Sequence, residues 1–597
     1  MNKKWLIKET PETDSIRYLA GSLNISETIA QILIQRNISD INQAKLFLRP
    51  NINNLLAPKL IPGLAEAHKR IEQALLNNER ILIYGDYDVD GVSSVALLKR
   101  FFRLLAREVD FYIPHRLIEG YGLSEEAIDE IARKKVNLIV TVDCGVSSVK
   151  EIAYARKLGI DVVVTDHHEI PDQLPDCIIV NPKLNKEVND SYFLSGVGVA
   201  FKVAWSLMDT FSQVKKDSKV FQEFVMDTMA LVALGTVADV VPMTGENRVI
   251  CSYGLEALQR TGIAGLKALM KQTGLERGPI RAEDIAFRLG PRLNAAGRLG
   301  DSLSSIKLLT TDFAEEIEQL VARLEQNNKD RQKIEGRILT EASRIVRETY
   351  DLDKEYCIVL SSDKWHSGVL GIVASKLAEE FYRPTVLIST ENGTGKGSGR
   401  SIPCFHLYDA LCNCRELLES VGGHEYAAGL QVENRNIPQL KVKLNEYAKT
   451  RLKPEDLTPF INIDLVLDFR QINRKLLSDI KMLSPFGEGN EEPVFCSHGL
   501  QVAGIPKLIG SNLKHLTFYV KQNGRTYRVI AYNKGSYISV LDALKDKPFS
   551  LAYTLKLNTW QGEENIELEF VDLRTTYRLS LHAIRPTPYA KRYTPPL

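Results

Sequence analysis

Between residues 81 and 181 the chain repeats one pattern, a short and almost wholly apolar run followed by a stretch with helical spacing. The runs are ILIYGDY at 81–87, VDFYI at 109–113, VNLIVTVD at 136–143, DVVVTD at 161–166 and CIIVN at 177–181. A strand that is apolar on both faces must be covered on both faces, and βαβ units with a mostly parallel sheet provide that cover. The fold class read from this pattern is therefore α/β. In open sheets of this kind, groups at the carboxyl ends of the strands converge on one crevice. Those ends carry Asp86, Asp88 and Asp90 in GDYDVDG, Asp143 in VTVD, and Asp166, His167 and His168 in TDHHE.

One aspartate before a helix is explained by capping. Three within five residues exceed that need, because carboxylates packed so closely repel unless a cation neutralises them. Asp239, in the apolar stretch ALGTVADVVP, adds a carboxylate that is costly to bury alone. Carboxylates mixed with imidazole suit two clustered divalent ions; manganese tolerates the imidazole best, and magnesium fits an oxygen-rich site. Two such ions about 3.5 to 4 Å apart activate a water and stabilise a leaving oxygen, the chemistry of phosphoester hydrolysis. No GxSxG segment accompanies the histidines, so a serine nucleophile has no comparable support.

The remainder of the chain divides by pattern. Residues 1–60 mix short helical patterns with loops and carry no evident chemistry. Residues 313–350 keep helical spacing through Ile317, Leu320, Val321, Leu324, Arg331, Ile334, Ile338, Ala342 and Ile345 without a proline, a rod of roughly 55 Å that joins two domains. A second α/β unit follows, with the glycine-rich run TGKGSGRS and the segment VGGHEYAAG. From about 456, short alternating runs indicate an all-β barrel or sandwich. A chain of 597 residues with 44% hydrophobic content holds three or four cores of ordinary size. Lys and Arg number 76 against 75 Asp and Glu, so any nucleic-acid surface must be a local patch. No apolar run approaches the ~18 residues of a membrane span, and the first residues lack a signal peptide. Eight scattered cysteines suit a reducing compartment; Cys412 and Cys414, with no second pair nearby, do not make a zinc motif.

The segments GDYDVDG, VDCG, TDHHE and GTVADVVP resemble the four motifs of the DHH phosphoesterase superfamily. PRLNAAGRLGD, KWHSGVLGIVASKL, GSGRS, VGGHEYAAG and SPFGEGNEEPVF resemble, within it, the RecJ family of single-strand-specific exonucleases. The resemblance implies a DHH catalytic domain with a mostly parallel sheet (61–311), a connecting helix (312–350), a DHH-associated substrate-binding domain (351–455) and an OB-fold β-barrel (456–575), to which the sequence pattern adds an N-terminal extension (1–60) and a basic, proline-rich tail (576–597). It implies processive 5′ to 3′ digestion of single-stranded DNA to mononucleotides in DNA repair and recombination, while the residues themselves set the expectation of two Mn2+ or Mg2+ ions and of a cytoplasmic location. The implied ligands are Asp88, Asp90, Asp143, His167 and Asp239, with Asp143 as the bridge and His168 orienting the site or touching the scissile phosphate. Arg298, Ser398, Arg400 and His424 would hold the strand. A single-strand-binding protein and a helicase are candidate partners, no membrane is expected, and the chain is expected to be a monomer. One departure stands out: many superfamily members carry a metal-binding histidine where this chain has Tyr84, so either Asp86 completes that shell or one ion binds more weakly. Relatives acting on small phosphoesters share the metal motifs but need no extra β module, and a non-catalytic scaffold should have lost ligands that are intact here.

Overall fold

The computed structural model describes residues 3–116, 119–185, 189–211, 218–510, 512–544, 547–560 and 563–575. The tail at 576–597 and the side chain of Trp560 lie outside the described residues. The chain divides into two compact units, residues 52–457 with 487–489, and residues 1–51 with 458–486 and 490–597.

In the larger unit, five parallel strands form one sheet: β1 (Ile81–Gly85), β2 (Asp110–Tyr112), β3 (Leu138–Val142), β4 (Asp161–Thr165) and β5 (Ile178–Val180), in the order β2-β1-β3-β4-β5. Ile81 and Ile83 enter one apolar cluster with helices α1 (Val89–Leu104), α2 (Gly196–Phe211) and α3 (Lys219–Ala238). Leu82 and Tyr84 enter a second cluster on the opposite face, with Ile128, Ile131 and Ile152. Covering both faces is why the strand sequences read as continuous apolar runs.

Helix α3 belongs to the core of this unit. It is long and apolar enough by composition to cross a bilayer. Its residues Met229 to Leu234 are instead buried against α1 and the other helices of the core. A helix enclosed by protein needs apolar residues all round.

Helix α4 (Gly290–Arg298) precedes α5 (Ala314–Thr349), a helix of 36 residues and about 54 Å at 1.5 Å per residue. Its ends are packed by apolar residues, Ile317 to Leu324 in one cluster and Ile338, Ala342 and Val346 in another, while polar Asn328 and Glu335 are buried at mid-length.

The second sheet contains β6 (Ile358–Ser362), β7 (Thr385–Glu391), β8 (Thr394–Arg400), β9 (Leu418–Gly423) and β10 (Ala427–Glu433) in the order β9-β10-β8-β7-β6; helix α6 (Leu370–Phe381) packs on it. The glycine-rich run, which composition leaves open as a turn, is the central strand β8, paired on both sides. A Cβ at Gly395, Gly397 or Gly399 would come within 2.6 to 2.8 Å of Ile388, Leu430 or Leu407 respectively. The glycines let large apolar neighbours close over the strand, which is packing rather than flexibility.

In the smaller unit, β11 (Phe495–Ile509), β12 (His515–Gln522), β13 (Arg525–Ala531), β14 (Phe549–Trp560) and β15 (Glu563–Arg574) run in the order β11-β12-β13-β15-β14, and β14 pairs back onto β11 to close a barrel. The first 51 residues fold with it. Lys4–Ile7 pairs in parallel with Phe460–Ile463, and Ile16, Leu19, Ile29 and Leu33 share a core with Phe469, Phe495 and Phe518.

Candidate metal and strand-binding site

The carboxyl end of β1 leads directly into α1, and Asp88 is its N-cap: Oδ1 accepts from the amides of Asp90 at 2.9 Å and Gly91 at 3.1 Å. Capping therefore occupies one oxygen of one aspartate. Asp90, inside the first turn, is held by a second helix start, because Gly196 and Val197 at the beginning of α2 donate to its two oxygens at 2.6 and 2.9 Å. Asp143 follows β3 with φ 61°, a left-handed conformation that costs an ordinary residue ~1 to 3 kcal/mol and is concentrated at functional sites.

These groups converge. Asp86, Asp88 and Asp143 place ligand atoms within 4.8 Å of one another, as do Asp90, His167 and Asp239, and Asp143, His167 and His168. His167 Nε2 lies 3.1 Å from Asp143 Oδ1, 3.5 Å from Asp239 Oδ2 and 3.9 Å from Asp90 Oδ2. Its ring is hydrogen-bonded to the Leu194 backbone, so the other nitrogen, Nε2, is left facing the carboxylates. Asp86 Oδ1, Asp143 Oδ1 and His167 Nε2 are all buried without a hydrogen-bond partner. Buried acceptors left without a partner are costly unless a cation binds them. The donor set thus fits divalent metal, and Asp143, common to two of the three groups, fits the shared position.

Burial, and then the neighbouring Asp88 charge, push Asp90 up to about 7, against the pull of the Val197 and Gly196 amides. Burial and like charge also raise Asp86, Asp143 and Asp239 well above the usual carboxylate range. A pKa raised by folding favours the native state at low pH and loses that contribution as pH rises through the folded value. Without metal, stability should fall as pH rises from about 4 through about 7, the span between the ordinary aspartate value and that of folded Asp90, whereas metal binding, which displaces protons, should strengthen over the same range. Thermal melts at pH 6 and 8, with and without Mn2+ after chelation, should show the larger metal-induced rise at pH 8; an equal rise would contradict this electrostatic picture.

Asp166, beside the predicted ligands, has another task. Its Oδ1 accepts from the amides of His167 and His168 and from His168 Nδ1 at 2.7 Å, and its Oδ2 accepts from the Val146 amide. Burial opposes its charge, but the His168 hydrogen bond and the surrounding donors hold it down at about 2. Burial likewise opposes the charged His168 ring, and Asp166 outweighs it and raises the His168 pKa. Tyr121 Oη lies 3.1 Å from His168 Nδ1 and bonds the Asp143 carbonyl at 3.2 Å. Asp166→Asn should lower hydrolysis roughly 10- to 100-fold, the usual effect of losing a group that orients a site residue, measured as kcat on a short oligonucleotide.

Tyr84 takes no part in this cluster. Its ring stacks on Tyr112 at 5.3 Å, its hydroxyl donates to the Gly122 carbonyl at 3.0 Å, and it is fully buried on the far face of the sheet.

The predicted strand-binding residues gather around the loop before α6. Arg298, at the end of α4, donates to the Gly368 carbonyl at 3.4 Å. A Cβ on Gly371 would lie 2.9 Å from the Arg400 guanidinium and 3.0 Å from Ser398 Oγ, and Arg400 itself donates to Ser398 Oγ at 3.3 Å. Burial, followed by the charges of Arg116 and Arg400, pulls Arg298 down to about 9. Arg298 is thus partly buried within reach of the like charges of Arg116 and Arg400, an arrangement that an anion would relieve. Burial lowers the pKa of His424 too, and Arg400 and His168 add to the effect; it stands in the exposed turn between β9 and β10. Arg116, whose guanidinium sits 4.8 Å over the Tyr87 ring, is absent from the sequence reading although it follows a strand end as the other site residues do. Trp365 is core, its Nε1 donating to Glu341.

Residues 80–236 match the DHH family N-terminal domain, 354–450 the DHHA1 domain and 463–572 the RecJ OB domain. A single-stranded-DNA-specific exonuclease RecJ of Bacillus subtilis is 37% identical over 572 residues, 95% of this chain and 70% of that one. The RecJ of Haemophilus influenzae is 34% identical over 529 residues, 87% and 91% of the two chains. The chain belongs to the RecJ family. A crystal structure of RecJ with Mn2+ from Thermus thermophilus superposes with a TM-score of 0.82 at 30% identity, covering 96% of this chain and 80% of that one, and a Mg2+ complex superposes at 0.76. The sheet-end carboxylates, Arg116, Arg298 and, in the second sheet, Arg400 all lie within one compact unit.

Proposed function

We propose that this chain is a metal-dependent exonuclease specific for single-stranded DNA, which digests from the 5′ end to mononucleotides in DNA repair and recombination. The observation that carries the reading is a buried carboxylate and imidazole cluster with orphaned acceptor atoms, on the same compact unit as the partly buried guanidiniums of Arg298 and Arg400, in a chain whose RecJ relatives are named single-stranded-DNA-specific exonucleases. Asp86, Asp88, Asp90, Asp143, His167 and Asp239 are the proposed ligands of two Mn2+ or Mg2+ ions. Bound there, the ions supply an activated water and a counter-charge for the leaving oxygen. His168, oriented by Asp166, touches the scissile phosphate; Arg298, Ser398, Arg400 and His424 hold the strand, joined by Arg116. Asp86 takes the place of the histidine that Tyr84 replaces.

The domain boundaries proposed are those drawn from the sequence, with residues 1–51 as part of the barrel unit. Of the barrel aromatics, Phe495 and Phe518 are core, Tyr527 is tied through its hydroxyl to the Ile472 carbonyl, and Tyr519 and Tyr532 are 49% and 57% exposed. Along β12, Leu516, Phe518 and Val520 point inward and Tyr519 and Lys521 outward, the period of two that a barrel strand imposes. Tyr519→Ala should weaken oligonucleotide binding by about 1 to 3 kcal/mol, the contribution of one stacked base, in a fluorescence titration; unchanged affinity would remove Tyr519 from the path. A cytoplasmic monomer, with a single-strand-binding protein and a helicase as partners, completes the proposal.

Strands blocked at the 5′ or the 3′ end, with RNA and duplex controls, test it. Digestion of the 3′-blocked strand alone, to mononucleotides, is expected. Degradation of the 5′-blocked strand, or equal cutting of duplex, would overturn the proposed polarity or specificity.

A further inference from the structure

Helix α5 is the segment that sequence periodicity assigns to joining two domains, yet its middle is polar where a passive rod would be apolar or solvated. Asn328 and Glu335 are buried there, and the Arg331 side chain between them is 11% exposed. Arg331 donates to Glu335 at 3.0 Å and to Asn328 at 3.0 Å, while its Nε is buried without a partner. Glu335 is also shared with Lys376, so one carboxylate answers two cations.

Arg331 lines a cleft of about 220 Å³ with Arg298, Asn294, Ala238, Gly290 and Ile372. Asn294 is fixed because its Oδ1 accepts from the Val89 amide, so the group it has left to offer is the Nδ2 amide. Ala238 of the cleft lining adjoins Asp239 in the chain, and the Val89 amide that holds Asn294 belongs to the residue between Asp88 and Asp90. Burial lowers the pKa of Arg331, with Arg292 adding to the effect and Glu335 opposing it. A partly desolvated excess of positive charge beside small residues is an arrangement completed by an anion.

We propose that α5 takes part in substrate handling, with Arg331, Arg298 and Asn294 forming a nucleotide-phosphate site in this cleft. This rests on the exonuclease reading above, which sets the anion's class. The phosphate is either a phosphodiester of the bound strand or the phosphate of the released mononucleotide, and the two sources separate by experiment.

The test compares the full chain with Arg331→Gln and Arg331→Lys. For a strand phosphate, Arg331→Gln should weaken binding of a single-stranded 20-mer about tenfold and reduce the salt slope of log affinity by about one, with Mn2+ affinity unchanged and Arg331→Lys restoring most of the binding. For a product phosphate, KM holds and the inhibition constant of a deoxynucleoside monophosphate rises about tenfold. Either result supports the site. Unchanged strand affinity, salt slope and product inhibition would overturn it, as would equal losses in Gln and Lys variants with lowered melting temperature, which mark a structural role. Should the parent protein fail to hydrolyse DNA at all, the exonuclease reading falls, and calorimetric binding of the monophosphate to parent and Arg331→Gln still decides this site.

Discussion

Asp143→Asn should reduce strand hydrolysis roughly a thousandfold or more while leaving the fold intact. Asp143 belongs to both the Asp86–Asp88 group and the His167–His168 group, so its loss removes charge from two ion positions at once. Metal-borne stabilisation of a phosphoryl transition state amounts to several kcal/mol, and each 1.36 kcal/mol is about tenfold in rate. Asparagine suits the test because it keeps the side-chain shape and tolerates the left-handed backbone, φ 61°, better than most residues. The measurement is steady-state release of mononucleotides together with bound metal per chain. A variant within tenfold of the parent, with full metal content, would show that Asp143 is not the shared ligand.

Gly196→Ala should cost about a hundredfold or more, although it adds only one methyl group. A Cβ there would lie 2.5 Å from Asp143 Oδ1 and 2.7 Å from its Cβ, far inside contact distance. Gly196 also donates its amide to Asp90, so the helix start cannot retreat without loosening a second carboxylate. Displacing site residues by about 1 Å is enough for ~100-fold losses. Hydrolysis and Mn2+ affinity should fall together in Gly196→Ala, with the melting temperature of the chelated protein changed much less. Parental activity would mean that α2 yields and that the close approach is incidental.

How much of this was legible in the sequence depends on whether a residue's role is local. The strand-end aspartates were, because a parallel sheet converts sequence position into spatial position: Asp86, Asp88, Asp143 and His167 come together through the register of β1, β3 and β4. Asp166 looked like its neighbours in TDHHE, and only the direction of its side chain, toward the Val146, His167 and His168 amides, separates an orienting group from a ligand. The strand β8 was obscured because glycine carries no strand signal of its own; the cause of its glycines lies in Ile388, Leu407 and Leu430, distant in the chain. The partnership of residues 1–51 with the barrel was likewise invisible, since Trp5 donating to Asp572 spans almost the whole sequence. Arg116 was within reach of the same strand-end argument that found the aspartates.

The central claim is that one carboxylate and imidazole cluster holds the two ions on which hydrolysis of single-stranded DNA depends. Its most direct test is to strip the protein with EDTA and titrate Mn2+ calorimetrically while following mononucleotide release from a single-stranded oligonucleotide. The account predicts no turnover in EDTA, binding of two equivalents per chain, and recovery of activity as the second site fills. Undiminished turnover in EDTA would contradict it.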